Sequence, residues 1–461
     1  MDPATCREAH IARDARFDGV FYLAVKTTGI YCRPVCPARI PSEHNVRYYS
    51  NTAQAARDGY RPCLRCRPES APGSPAWLGT QTTLNRALSL IQSGALNRES
   101  LPQLAERLGV GDRYLRKLFQ QSLGVSPSAV ALNQRLLFAK KLLAETCMPM
   151  SEVAFAAGFG SVRRFNSAVK SQFNLAPTAL RRQSAIGTVS ELRLTLHYRP
   201  PYDWEGVLNY FSRHAIAGVE SISDTGYRRT LSLGPDHEYL EVRPISDQHA
   251  LQLSIQSSRP EWLMPIVANV RRMFDLDANP AVIARFFNQD PDMARLLARC
   301  PGIRSPGTWS LFESAFRTIV GQQVSTQAAR TLLGSIIDAA GRSGEFGGFA
   351  SPAKLASLPD GCYRMPQRRR ECLRALCRLA SERGDLLCVE EISALPGVGP
   401  WSRAMIAMRG AGRPDVFPCT DLGLLNAWQR LQCDGLLAKR SVRWRPWGAY
   451  AANLLWRSLE T

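Results

Sequence analysis

The chain has 461 residues, 45% apolar and 21% charged, with 58 Lys+Arg against 39 Asp+Glu for a formal net charge of +19. At about 100–200 residues per domain, this length predicts three or four domains, and the composition excludes a largely disordered chain. The opening Met1-Asp2-Pro3-Ala4-Thr5-Cys6-Arg7-Glu8 lacks a basic segment leading into an apolar one, and no apolar run reaches the roughly 18 residues that span a bilayer. The expectation is a cytoplasmic protein with no membrane partner, whose 13 cysteines serve as thiols or metal thiolates. The charge favours a polyanion such as nucleic acid, with a basic soluble enzyme as the bland alternative. Residues 71–184 are the most basic for their length, with 14 basic and 5 acidic side chains, so a nucleic-acid reader is expected there first.

Taken in chain order, the first motif is Cys32 and Cys36, then Cys63 and Cys66: C-x3-C, 26 residues, C-x2-C. Two short-spaced thiol pairs joined by a loop can meet at the corners of a tetrahedron, the arrangement that zinc takes. Two disulfides or four unrelated buried thiols are the alternatives. Arg33, Arg39, Arg47, Arg61, Arg65 and Arg67 crowd these ligands. They either neutralise the −2 formal charge of zinc with four thiolates or hold a DNA phosphate beside a reactive thiolate; spacing does not choose between the two.

Phe21-Tyr-Leu-Ala-Val-Lys-Thr-Thr-Gly-Ile-Tyr-Cys-Arg-Pro-Val-Cys36, with Asn45 and Gly59-Tyr-Arg-Pro-Cys-Leu-Arg-Cys66, resembles the N-terminal domain of the Ada adaptive-response proteins over about residues 5–70. The resemblance implies that Cys32 is the methyl acceptor, attacking a methylphosphotriester of the DNA backbone while zinc keeps the thiol deprotonated. It also implies a single turnover. Methylation would take the site from −2 to −1, reducing repulsion from DNA phosphates.

A Pro/Gly-containing seam, Ser70–Pro75, is followed by two helix-turn-helix units. In the first, Leu101–Leu108 is a short amphipathic helix, Gly109-Val-Gly a turn, and Asp112–Gln121 a second helix bearing Arg113, Arg116 and Lys117. A connecting helix over about Pro127–Glu145 leads to the second unit, Val153–Phe159 and then Ser161–Phe173 with Arg163 and Arg164. An ordinary helical hairpin explains either unit alone; two with basic second helices favour DNA binding. Residues 81–183 resemble AraC-type DNA-binding domains through Ala156-Ala-Gly-Phe159, Phe165, Phe173 and Pro177, with Asn174 where a Gly is usual. That resemblance implies promoter binding and transcriptional activation, with RNA polymerase as a partner. Arg113, Arg116, Lys117, Arg163 and Arg164 are the expected DNA contacts.

After a second seam, Gln183–Thr188, the alternation in Leu192–Tyr198 and Ala250–Ile255 predicts strands, and helical periodicity resumes from about Glu261. It is broken by a glycine-rich stretch, Gly341 to Gly348, that reads as a loop. Leu395-Pro-Gly-Val-Gly-Pro-Trp401 reads as a hairpin whose Gly397, Val398 and Gly399 can bring backbone N–H groups close to a DNA phosphate. Asp421 follows Gly399 by 22 residues and on its own reads as a cap for the helix Leu422–Leu431.

Leu395–Trp401, Asp415-Val-Phe-Pro with Asp421, Trp444-Arg-Pro-Trp-Gly-Ala-Tyr450 through Trp456, and Gly321-Gln-Gln-Val-Ser325 together resemble the helix-hairpin-helix DNA glycosylases, in particular the AlkA type, over about 188–461. The resemblance implies that Asp421 is the catalytic carboxylate, facing an oxocarbenium-like sugar, and that Trp401 and Trp456 receive a flipped cationic base. Trp401 stands where lyase-competent relatives carry a lysine, so a monofunctional glycosylase using water is expected. Gln323 replaces an apolar wedge and Met405 a pocket tyrosine, which leaves the range of excised bases open. No four-cysteine group follows Asp421 and no Pro-Cys-His-Arg occurs, so neither an iron–sulfur cluster nor the Ada domain for alkylated guanine oxygen is expected.

The fold class expected is multidomain and mainly α. It comprises an α+β zinc domain over 1–72, a double helix-turn-helix over 80–184, an α+β lobe over 188–262 and a helix-hairpin-helix glycosylase domain over 263–461. The expected partner is double-stranded DNA, damaged and promoter, bound by a monomer that is nucleoid-associated when on DNA. The competing readings are a regulator with a silent glycosylase-like clamp, and a structural-zinc protein whose Cys32 never reacts.

Overall fold

The computed structural model describes residues 2–14, 17, 21–49, 55, 58–63, 66, 79–173, 175–181, 192–232, 238–341, 348–432 and 435–460. Both expected seams lie outside the described residues, as do Asn174, Arg65, Arg67 and most of the glycine-rich stretch. Among the described residues, no helix is long and apolar enough to cross a membrane.

The chain divides into two units, 1–132 and 133–461. In the first, the helix Pro3–Ile11 starts where the Asp2 carboxylate accepts the Thr5 N–H at 3.3 Å. A four-stranded sheet follows, in the order Val46–Tyr49, Tyr22–Val25, Ile30–Cys32, Arg61–Pro62. Its register sets Leu23 opposite Cys32 and Ile30 opposite Arg61. Helices Gly79–Gln92, Ala95–Arg98, Leu101–Arg107 and Asp112–Leu123 then pack around Leu84, Ile91, Leu104, Leu115 and Phe119.

The boundary between the units falls inside the pair of helix-turn-helix units, within the helix Pro127–Glu145. The reason is hydrophobic. Leu142, Val153, Phe165 and Val169 share one core with Leu194, Leu196, Leu251, Leu253 and Phe274, so the second helix-turn-helix is built onto the lobe that follows it. That lobe is a five-stranded antiparallel sheet, ordered Leu192–His197, Ala250–Gln256, Glu238–Pro244, Gly226–Ser232, Glu220–Ser223. Its first strand is an edge, where unpaired backbone groups need cover. Glu145 supplies it, accepting the Thr195 N–H at 2.8 Å, while Lys141 donates to the Thr195 carbonyl.

From Leu263 onward the unit is helical, with two further cores. The helix Leu311–Val320 is tied to the lobe by a buried charge cluster. Arg229 meets Glu313 at 2.6 Å and Glu220 at 3.3 Å, and Arg317 meets Glu220 at 2.6 Å and Glu313 at 2.5 Å. Burial opposes the ionisation of Glu220, but Arg317 and Arg229 hold it below the ordinary carboxylate range. Removing one member of such a cluster strands the others without a counter-charge, at a cost of about 3–5 kcal/mol. Glu313→Gln is therefore expected to destabilise residues 133–461 by about that amount in urea titrations; a loss below about 1 kcal/mol would show that the cluster is dispensable.

His214 gives a pH signature. Burial pushes its imidazole down to about 4, with Nδ1 2.7 Å from the Tyr210 carbonyl and Arg409, Arg317 and Glu220 as the charged neighbours. Between about 6.5 and 4 the unfolded chain binds a proton that the folded chain refuses, so stability is complete above that window and falls as the pH drops through it. His214→Gln is expected to flatten this part of the melting temperature against pH; an unchanged profile would refute the assignment.

Candidate functional site

The hairpin of Tyr22–Val25 with Ile30–Cys32 delivers Cys32 to the sheet end, and the parallel pairing of Ile30 with Arg61 brings Cys63 alongside. The Cys63 N–H donates to the Tyr31 carbonyl at 3.0 Å and the Cys36 N–H to the Arg33 carbonyl at 3.1 Å, fixing two ligand turns. The Sγ atoms of Cys32, Cys36, Cys63 and Cys66 all lie within 4.8 Å of one another, and all four residues are buried. A tetrahedral zinc with Zn–S bonds of about 2.3 Å separates its sulfurs by about 3.8 Å, so the cluster has the right dimensions.

Its protonation chemistry asks for a cation. Cys32, which donates to Cys66 and is buried among the other thiols, is pushed far above the ordinary thiol range. Burial pushes Cys36 up to about 11, and the hydrogen bond from Cys32 pulls Cys66 down to about 6. Four contacting sulfurs cannot all shed their protons unless positive charge is supplied among them.

Of the arginines expected here, Arg33 is integral: its backbone N–H approaches the Cys66 Sγ at 3.4 Å, and Nη1 donates to the Cys66 carbonyl at 3.1 Å. Arg39 is exposed. Arg47 pairs with Asp58 at 3.4 Å and lies over the Tyr49 ring, so its charge is already answered by a carboxylate.

In both helix-turn-helix units the second helix buries one apolar face and exposes the other. Asp112–Leu123 buries Leu115, Leu118 and Phe119 and leaves Arg113, Arg116 and Lys117 exposed, with Arg116 3.4 Å from Asp112. Val162–Phe173 buries Phe165 and Val169 and leaves Arg163 and Arg164 exposed.

In the C-terminal half, the hairpin between Val389–Ser393 and Pro400–Met405 turns at Gly397, whose φ of +92° only glycine adopts readily. The Val398 side chain is buried, and its N–H already donates to the Leu395 carbonyl at 3.1 Å. Any phosphate contact from Val398 thus lies with other atoms of the turn. Gln323 is exposed and sits at φ +56°, a strained conformation for a residue with a Cβ.

Asp421 caps the helix Leu422–Arg430, with Oδ1 accepting the Leu424 N–H at 3.0 Å. The same carboxylate also accepts the indole N–H of Trp456 at 3.0 Å on Oδ1 and that of Trp401 at 2.9 Å on Oδ2. Cap and site are therefore one group. Met405 lies one turn beyond Trp401 and is half-buried.

Three residues of this site have no role assigned to them by the sequence reading. Gly423 admits the Trp456 indole because it lacks a side chain: a Cβ there would lie 3.0 Å from Asp421 Oδ1 and 3.1 Å from Trp456 Nε1. Gln322 donates to the Gly397 carbonyl and to Ser402 Oγ, both at 2.9 Å, joining the 321–325 turn to the hairpin. Arg409, buried, stacks 5.2 Å from the centroid of the Trp456 ring and bonds the Pro306 carbonyl and Asn453 Oδ1, taking one face of that indole.

A family model for the metal binding domain of Ada matches residues 5–69, one for a helix-turn-helix domain matches 104–183, and one for the AlkA N-terminal domain matches 193–310. A Mycobacterium tuberculosis protein named "Probable bifunctional transcriptional activator/DNA repair enzyme AlkA" is 39% identical over 99% of this chain and 96% of its own length. DNA-3-methyladenine glycosylase 2 of Escherichia coli is 28% identical over 57% of this chain and 96% of its own. The Escherichia coli protein named "Bifunctional transcriptional activator/DNA repair enzyme Ada" is 37% identical over 28% of this chain and 37% of its own. The metal-binding match and the four-sulfur cluster agree on zinc held by Cys32, Cys36, Cys63 and Cys66. With a relative aligned along almost its whole length, the chain belongs to the family of bifunctional transcriptional activator/DNA repair enzymes AlkA, fusing an Ada-type half to an AlkA-type half.

Proposed function

We propose that this protein combines two responses to alkylated double-stranded DNA: it senses a methylated backbone through Cys32 and excises alkylated bases through Asp421. The observation that carries the second role is the carboxylate of Asp421, oriented by two indole N–H groups and a helix N-terminus. A carboxylate offers about four lone-pair directions, and these donors take three, which leaves Oδ2 one direction for substrate. As the bond from C1′ to the alkylated base breaks, its electron pair leaves with the base. Positive charge then develops on the sugar and is stabilised by the carboxylate beneath it. Water adds at C1′ and its proton passes to Asp421. Trp401 and the face of Trp456 that Arg409 does not cover flank the flipped base, and Gln323 enters the space the base vacates. The N–H groups of Gly397 and Gly399 hold the flanking phosphate, with the buried Val398 between them anchoring the turn.

In the N-terminal half, zinc supplies the positive charge that keeps the four sulfurs deprotonated at neutral pH. Cys32 Sγ attacks the methyl carbon of a methylphosphotriester; the S–C bond forms, the C–O bond breaks, and its electron pair returns to the phosphate oxygen. The thioether carries no charge, so the centre loses one negative charge and repels DNA less. Arg33 and Arg39 face the backbone there. Arg113, Arg116, Lys117, Arg163 and Arg164 then read promoter DNA, and the protein, a monomer, activates transcription with RNA polymerase. By function we assign the motifs to the segments 1–72, 80–184, 188–262 and 263–461, of which the second and third share a hydrophobic core.

Asp421→Asn is expected to lower base release from methylated DNA by about 10²–10³ with DNA affinity within about threefold of wild type. Full retained release would remove Asp421 from the mechanism.

After incubation with methylphosphotriester DNA, peptide mass spectrometry is expected to find one methyl group on Cys32 and on no other zinc ligand. Promoter affinity measured at fixed salt should rise about 10-fold with that methylation. An unmodified Cys32, or a methylated one with unchanged affinity, would eliminate the sensor or its charge switch respectively.

A further inference from the structure

The helix Gln367–Arg383 begins with Gln367-Arg368-Arg369-Arg370, and no acidic side chain lies in its first turn. That end of a helix presents unpaired N–H groups and partial positive charge, so cations there repel it. Pro366, at the cap, gives no side-chain acceptor. Neighbouring arginines are answered by the protein: Arg370 donates to the Met365 carbonyl at 3.3 Å, and Arg374 to the Leu358 carbonyl at 2.9 Å and Asp360 at 2.5 Å. Arg369 is not. It is only 8% exposed, yet among the described residues its guanidinium meets no acceptor, carboxylate or aromatic face, and burial alone acts on it, lowering its pKa.

The Arg369 and Arg370 N–H groups both bond the Pro366 carbonyl, which leaves those of Gln367 and Arg368 as the free amides at the end toward which helical side chains lean. Cys372, one turn on along the same face, comes within 3.3 Å of where a Cβ of Gly397 would sit. This face of the helix therefore backs the hairpin Leu395–Gly399.

We propose that Arg369 and the first turn of the helix Gln367–Arg383 form a binding site for a phosphate of the DNA backbone, adjoining the hairpin and separate from Asp421. The site rests on the reading of the C-terminal half as a glycosylase. A phosphate answers each oddity at once: it accepts the free N–H groups and matches the planar donor fork of an unpaired guanidinium. It also neutralises the arginines gathered at the positive end of the helix. The site extends the protein's hold along the strand beyond the hairpin, so the lesion is gripped on more than one phosphate before the base is flipped.

The test compares full-length wild type, Arg369→Met and Arg378→Met, the last an exposed arginine of the same helix. Base release from methylated DNA is followed at several salt concentrations, together with melting of the free proteins. For Arg369→Met, the DNA concentration giving half-maximal release is expected to rise about 10-fold, with the rate at saturation unchanged. The salt dependence should become shallower by about 0.9 in its logarithmic slope. The free variant should melt at or above the wild-type temperature, because no hydrogen bond or ion pair of the free protein has been removed. Arg378→Met should shift half-saturation by less than about twofold. Unchanged half-saturation and salt slope in Arg369→Met would overturn the proposal, as would a lowered melting temperature with a lowered saturating rate, the mark of a structural arginine. Stabilisation of wild type by inorganic phosphate at constant ionic strength, with no change in half-saturation for Arg369→Met, would assign the site to a free anion and overturn it as a DNA contact. Absence of base release by wild type would instead overturn the glycosylase reading beneath it.

Discussion

The carboxylate of Asp421 is the point on which the second unit converges. Its three donors come from different places: the helix that follows the hairpin provides Trp401, the last helix of the chain provides Trp456, and its own helix provides the Leu424 N–H. Hydrogen bonds to a charged acceptor contribute about 1.5–3 kcal/mol each, and here each also fixes a direction. The hairpin, the C-terminal helix and the carboxylate are consequently one mechanical object, since moving any of them moves an oxygen of Asp421. The supports extend outward. Gln322 holds the hairpin to the turn carrying Gln323, that turn ends the helix Leu311–Val320, and Glu313 and Arg317 on that helix close the charge cluster with Glu220 and Arg229. The α+β lobe, which holds no residue of the site, thereby sets where Gln323 and the hairpin stand.

Legibility in the sequence followed the range of the signal. Zinc ligands come in close pairs, so spacing alone exposed Cys32, Cys36, Cys63 and Cys66, and the sheet register merely joined the pairs. The helix-turn-helix units were legible because turn and periodicity are local, and the helix Pro127–Glu145 has the bounds its pattern suggests. Asp421 was harder. Read alone it is a cap, and the structure keeps that reading: Oδ1 bonds the helix while the rest of the group faces two indoles. The two readings had looked like rivals because a sequence shows one neighbour at a time.

What stayed hidden depends on contacts between distant segments. Gly423 reads as a poor residue in a helix, and only the approach of Trp456, 33 residues away, explains it. Arg409 carries no motif, yet it occupies a face of Trp456 and so limits the stacking expected of that ring to the other face. The same holds for the division of the chain. Composition marks a seam near residue 185, but the second helix-turn-helix shares its core with the sheet beyond, and Glu145 and Lys141 cover the Thr195 edge. Hydrophobic sharing across a seam leaves no local trace in composition.

Buried arginines show how this fold handles its excess of positive charge. Arg229 is answered by carboxylates, Arg304 by backbone carbonyls and the Tyr202 ring, and Arg409 by a carbonyl, an amide and two aromatic faces. Three different compensations achieve the same end, because a desolvated guanidinium left alone costs several kcal/mol. Arg369 breaks that pattern, and Gln323 breaks the corresponding backbone rule by standing at φ +56° in an exposed turn. Both departures flank the hairpin, one through Cys372 beneath Gly397 and the other through Gln322 on the Gly397 carbonyl. A protein that folds for stability alone removes such features by a single substitution each. Were a polyanion to lie across this hairpin, the unpaired guanidinium would gain an acceptor and the strained turn new contacts, so free energy withheld from the unbound fold would become affinity and distortion in the bound one.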